Sequence, residues 1–134
     1  FGLGLNAGVA QGDYDNDGEK FDWAISTNYG INGFYFAAMY NETQVEAGIQ
    51  EATLKGYELA ASYNVDAWTF LAGYNNAEIK DAKNTVIQNE DWTDEFLLGA
   101  QYAFTPKLKA YTEYKIQNVD DLDDEFTVAL QYNF

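Results

Sequence analysis

The chain has 134 residues, 22 of them acidic against seven lysines and no arginine, which gives a net charge of −15, and it contains neither histidine nor cysteine. So acidic a chain excludes nucleic acid as a partner, because phosphate binding needs a basic surface. Without imidazole or thiol, and with Ser26 and Ser62 as the only serines, no nucleophile–base pair of the usual kind can be assembled, so the chain is not expected to be an enzyme and no disulfide framework is available.

Successive side chains of a strand point to opposite faces, so an alternation of apolar and polar residues predicts a strand with one dry and one wet face. Gly2-Leu3-Gly4-Leu5 opens such an alternation over residues 1–11. The second strand, 21–30, sets Phe21, Trp23, Ile25, Thr27 and Tyr29 against Asp22, Ser26 and Asn28. The third, 33–43, carries Phe34, Phe36, Ala38 and Tyr40 on its dry face. The fourth, 55–65, sets Tyr57, Leu59, Ala61 and Tyr63 against Glu58, Ser62 and Asn64. The fifth, 67–79, opposes Trp68, Phe70, Ala72 and Tyr74 to Thr69 and Asn75.

Phe96, Leu98, Ala100, Tyr102 and Phe104 form the dry face of the sixth strand, 94–104, with Glu95 and Gln101 opposite. The seventh, 107–117, points Lys109, Glu113, Lys115 and Gln117 to the wet side. The eighth, 125–134, ends with Phe126, Val128, Leu130, Tyr132 and Phe134 on one face. Connections alternate between short turns at residues 30–33, 64–66 and 105–107 and longer, mostly acidic loops at 12–20, 43–54, 80–93 and 119–124.

Aromatics bracket aliphatic or small residues on the dry faces, and five of those faces carry no charge. That is the pattern of strands whose outside touches lipid, with aromatic girdles at both interfaces. A soluble sandwich gives no reason for strict alternation of short and long connections, nor for so many small residues on the wet side (Gly2, Gly4, Gly8, Ala24, Ala37, Ala60, Gly73, Gly99, Ala129). The mean hydropathy of −0.40 agrees, because only every second residue of such a strand faces lipid. The fold class expected is an all-β, antiparallel transmembrane β-barrel, with residues 1–134 as a single domain of eight strands.

The stretch Gly99-Ala100-Gln101-Tyr102-Ala103-Phe104, the turn after it, and Tyr111-Thr112-Glu113-Tyr114 together resemble the last hairpin segment of the Gram-negative general porins. The ending Val128-Ala129-Leu130-Gln131-Tyr132-Asn133-Phe134 is similar to their closing strand. The resemblance covers the whole chain in strand order and matches the C-terminal eight strands of a sixteen-stranded, trimeric barrel. It implies a channel wall for passive diffusion of small hydrophilic solutes and ions in the bacterial outer membrane. It also implies that the family's constriction loop and pore arginines lie in strands outside this sequence. Either the chain is the C-terminal half of such a barrel, or its eight strands close on themselves; the alternative function is a small plugged barrel with a structural or adhesive role through its acidic external loops.

On this reading Asp22, Glu58, Glu95, Lys109, Glu113 and Lys115 line the pore. Their excess of carboxylates predicts weak cation selectivity. Paired carboxylates at Glu95 and Glu113 are read as solvated wall rather than an acid–base pair.

Asp13, Asp15 and Asp17, with Gly18, match the opening of a calcium loop, but Ala24 stands where the closing bidentate Glu belongs. No cofactor is expected beyond a weakly bound calcium or magnesium ion there, or one shared with lipopolysaccharide phosphates. Phe126, Tyr132 and Phe134 resemble the terminal signal read by the barrel-assembly machinery. In the unfolded chain, the same end resembles the peptide a PDZ-type stress protease captures by strand addition. The remaining expected partners are outer-membrane lipid, lipopolysaccharide, and two further copies in a homotrimer.

Overall fold

The computed structural model describes residues 2–14, 18–85, 90–120 and 122–134. Eight strands run up and down in sequence order within one antiparallel sheet: β1 (Gly2–Tyr14), β2 (Gly18–Ile31), β3 (Phe34–Ala47), β4 (Gln50–Val65), β5 (Trp68–Lys83), β6 (Glu90–Ala103), β7 (Leu108–Gln117) and β8 (Glu125–Tyr132). Among the described residues β1 pairs only with β2 and β8 only with β7. These two strands are the edges of an open sheet, so a small closed barrel with a plugged interior is not the observed arrangement.

At one rim the turns are tight. Asn32 and Gly33 join β2 to β3 with φ of 49° and 83°, both left-handed as a two-residue type I′ hairpin requires. Asp66 and Ala67 join β4 to β5. Each turn is tied to the next strand along: the Asn64 N–H donates to the Gly33 carbonyl (2.8 Å), Ala103 to Ala67 (2.9 Å) and Asn133 to Lys107 (2.9 Å).

The opposite rim corrects the sequence expectation. Residues 43–54 are not a loop: β3 and β4 stay paired from Tyr40–Tyr57 up to Ala47–Gln50 and turn at Gly48-Ile49. Residues 12–14 and 18–20 likewise extend the first hairpin, and β5 and β6 run into the expected 80–93 loop. The reason is an inverted alternation. Above Tyr40 and Tyr57 the outward positions become polar (Glu42, Gln44, Thr53, Lys55), while the inward ones include Val45, Leu54 and Ile79. Strand pairing continues, but the outside there meets water instead of lipid. Two bulges lie in this zone, one leaving an extra residue in β5 beside Asp81 (φ 53°), the other an extra residue, Trp92, in β6.

The sheet is a single layer. Ile79, at 5% exposure, is the only buried hydrophobic residue among those described. A second sheet to cover the aromatic face is absent among the described residues, which is the arrangement of a wall and not of a sandwich.

Candidate functional site

Cross-strand registers sort the side chains into two faces. On the dry face two rows of rings run across the strands. The upper row includes Trp23–Tyr40 (centroids 5.0 Å apart), Tyr40–Tyr57 (4.9 Å), Tyr74–Phe96 (4.7 Å) and Tyr114–Phe126 (6.5 Å). The lower row includes Phe34–Tyr63 (4.2 Å), Trp68–Tyr102 (4.8 Å) and Tyr132–Phe134 (5.2 Å). Between them the surface dips into a 460 Å³ apolar groove with Thr27, Ala38, Ala61 and Ala72 among its lining residues. Phe96 to Phe104 is about 26 Å of strand at ~3.3 Å per residue, or about 20 Å along the membrane normal at a barrel's usual tilt of ~40°.

The opposite face holds all six residues expected to line a pore. Among the side chains described, its strands carry five carboxylates, Asp22, Glu58, Glu95, Glu113 and Glu125, and three ammonium groups, Lys20, Lys109 and Lys115. They are not spread evenly. Lys115 lies 3.8 Å from Glu95 and 3.3 Å from Glu125, and Asn75 Nδ2 donates to Glu95 Oε1 (3.0 Å), so Glu95 is held in a network. Asp22 is paired with Lys20 (2.9 Å) and accepts from Thr43 Oγ1 (2.5 Å). Glu58, Glu113 and Lys109 have no ion pair among the described residues.

Lys20, Thr43 and Glu125 were not singled out from sequence, although each continues the period-two phase of its strand. Lys20 and Thr43 were hidden because they fall at the edges of segments read as loops. Glu95 and Glu113 sit on different rows, Glu95 across from Gln117 and Glu113 across from Gly99 and Thr127.

Small residues on this face make room for amide side chains. A Cβ at Gly4 would stand 2.6 Å from the Asn28 carboxamide, and one at Gly56 would collide with that of Asn41. Asn28 and Asn41 therefore lie flat against neighbouring strands, which keeps the face polar without filling the space in front of it.

Asp13 is at the upper end of β1, across from Glu19, while Asp15 and Asp17 lie outside the described residues. Among the described residues, no group of three acidic side chains is placed to hold a metal ion. Phe126 and Tyr132 lie on the dry face of β8; Tyr132 is in ring contact with Phe134, whose side chain is fully exposed. Beyond the strands, Asp124 accepts from the Tyr114 hydroxyl (2.7 Å) and the Gln117 N–H (3.0 Å), and these bonds hold its carboxyl below the usual range.

Comparison with known proteins gives a consistent picture. The family model described as Gram-negative porin matches residues 1–122. Outer membrane protein U of Vibrio parahaemolyticus is 29% identical over 99% of this chain and 40% of its own length. The outer membrane porin PhoE of Enterobacter cloacae is 32% identical over 87% of this chain and 36% of its own. The chain thus spans well under half the length of these curated relatives. A solved structure, OmpF of Salmonella typhi in complex with daunomycin, superposes with a TM-score of 0.82 over 99% of this chain and 47% of its own, at 21% identity, which is a likeness of fold.

Proposed function

This chain belongs to the Gram-negative porin family of the bacterial outer membrane, and from that premise we propose that it forms part of the wall of a passive diffusion channel for small hydrophilic solutes and ions. The observation that carries the reading is the division of one single-layer sheet into a ring-bounded apolar face and a solvated, charged face. Lipid satisfies the first, and only water satisfies the second. The bias toward carboxylates on the wet face favours cations over anions, weakly, because three of the five acids are offset by lysines. Asp22, Glu58, Glu95, Lys109, Glu113 and Lys115 are the residues we assign to the lumen.

Reconstitution of the protein in a planar bilayer under a salt gradient tests both parts. Stepwise conductance with a cation-side reversal potential is expected; absence of conductance from folded protein would refute the channel, and an anion-side potential would refute the selectivity. Assembly as a homotrimer, contact with lipopolysaccharide through shared divalent cations, and recognition of Phe126, Tyr132 and Phe134 by the assembly machinery, or of the unfolded end by a PDZ-type protease, follow from the same reading. Deletion of Phe134 is expected to slow membrane insertion.

A further inference from the structure

On the wet face, small residues at Ala37 and Ala60 leave an open recess of 190 Å³. Tyr35 and Met39 flank it on β3, Glu58 stands at its side on β4, and Ser26 and Asn28 border it from β2. We propose that this recess is a subsite on the channel wall for an organic ammonium ion bearing one small ring, a resting point for cationic solutes during passage.

The charge environment of Glu58 supports this assignment. Its neighbours across the strands are Met39 and Asn75, those on the diagonals are Ala37, Asn41, Gly73 and Ala77, and those along its own strand face are Gly56 and Ala60. None carries a charge. Glu58 also has no hydrogen-bond or ion-pair partner among the described residues, unlike Glu95 and Asp22, which are already engaged. A carboxylate standing alone in neutral surroundings selects a cation.

The rest of the recess is suited to an apolar body attached to that cation. The Tyr35 ring, 44% exposed, offers a π-face to an ammonium group or a stacking surface to a ring. The Met39 thioether is a soft contact for an aromatic edge. Ser26 adds a hydroxyl oxygen that accepts from an ammonium N–H group. A cavity of about 150 Å³ holds benzene, so 190 Å³ accommodates one ring with a short chain. A divalent metal ion would find only one carboxylate here, too few hard ligands for a tight site.

The proposal rests on reading this face as the lumen, but its test does not depend on conductance. Met39 is the sole methionine of the chain, so a ¹³C-methyl methionine label reports from within the recess, with Met39→Leu identifying its signal. The protein in detergent micelles is titrated with 2-phenylethylammonium chloride and, separately, with the neutral 2-phenylethanol.

A saturable shift of the Met39 methyl by the ammonium compound is expected, weakened about fivefold in Glu58→Gln, as for loss of an exposed ion pair, and unchanged in Glu113→Gln. Tyr35→Leu should weaken it as well. A methyl signal that does not move, or that moves equally for the alcohol or in Glu58→Gln, overturns the subsite. Conductance with no methyl shift removes the subsite and leaves the channel; a Glu58-dependent shift in a protein that does not conduct supports the subsite and removes the channel.

Discussion

Trp23 and Glu42 face each other across β2 and β3, on the same side of the sheet. One is an interfacial aromatic and the other a carboxylate, so the edge of the hydrocarbon passes between them. Glu42 is held there by the Tyr40 hydroxyl (2.9 Å) and the Gln44 carboxamide (2.8 Å), which pin the charge just above the ring row.

A lysine placed on either side of that edge should therefore behave oppositely. Ala61→Lys puts an ammonium group midway between the ring rows, at a groove with space for the side chain, and should cost about 2–4 kcal/mol in reversible unfolding from lipid vesicles. Gln44→Lys, two residues beyond Glu42, should cost no more than about 1 kcal/mol. Equal losses would mean the membrane edge is elsewhere.

The Asn32-Gly33 turn should tolerate little. Gly33 has φ 83°, and a Cβ there would stand 2.6 Å from the Asn64 carbonyl oxygen. Gly33→Ala should lower stability by more than about 1 kcal/mol, visible as a lower temperature for loss of the compact band in heated-versus-unheated electrophoresis. Gly48→Ala, also at positive φ but with nothing within 4 Å of its Cβ position, should cost less.

Asp124 predicts an acid-sensitive loop. Its folded-state pKa is lowered, first by the Tyr114 hydroxyl and then by the Gln117 N–H. A lowered carboxylate contributes stability that is fully present above its unfolded value, about 3.9, and is lost as pH falls through the folded one. Proteolysis within residues 118–123 should accelerate over that acid range in the wild type, measured with an acid-active protease. Asp124→Asn should be equally susceptible across the same range.

Glu113 has no ion pair among the described residues, whereas Glu95 is bonded to Asn75 and close to Lys115. Glu113→Lys should move the reversal potential toward the anion side with little loss of stability. Glu95→Gln should shift it less than that two-charge reversal and should also lower the unfolding temperature, because it replaces the charged acceptor shared by Asn75 and Lys115 with a neutral carboxamide. Circular dichroism melts in detergent, run beside the bilayer recordings, separate the two effects.

The membrane-facing half of each strand was legible because lipid imposes a period-two signal: Phe34, Phe36, Ala38 and Tyr40 can be read only one way. The Asn32-Gly33 turn was legible from its turn chemistry. The upper hairpins were not, because Gln44, Glu46, Thr53 and Lys55 are polar where the rule for lipid contact expects apolar residues. Their alternation is intact with its polarity reversed. Of the polar face, Asp22, Glu58, Glu95, Lys109, Glu113 and Lys115 were legible by phase, but the division between networked Glu95 and solitary Glu58 depends on which side chains the register places side by side.

That reversed polarity also gives the protein a direction. The tight turns at Asn32-Gly33 and Asp66-Ala67 add little beyond the lower ring row, whereas the β3–β4 hairpin carries Glu42, Glu46, Glu51 and Lys55 beyond the upper one. Insertion from the tight-turn side must carry those charges through hydrocarbon once, at about 2–4 kcal/mol for a lysine at the midplane. Withdrawal would have to carry them back. The charged hairpin thus acts as a barb: whatever drives it across, the finished wall is held in one orientation by the barrier to its return, independently of how stable the folded sheet is.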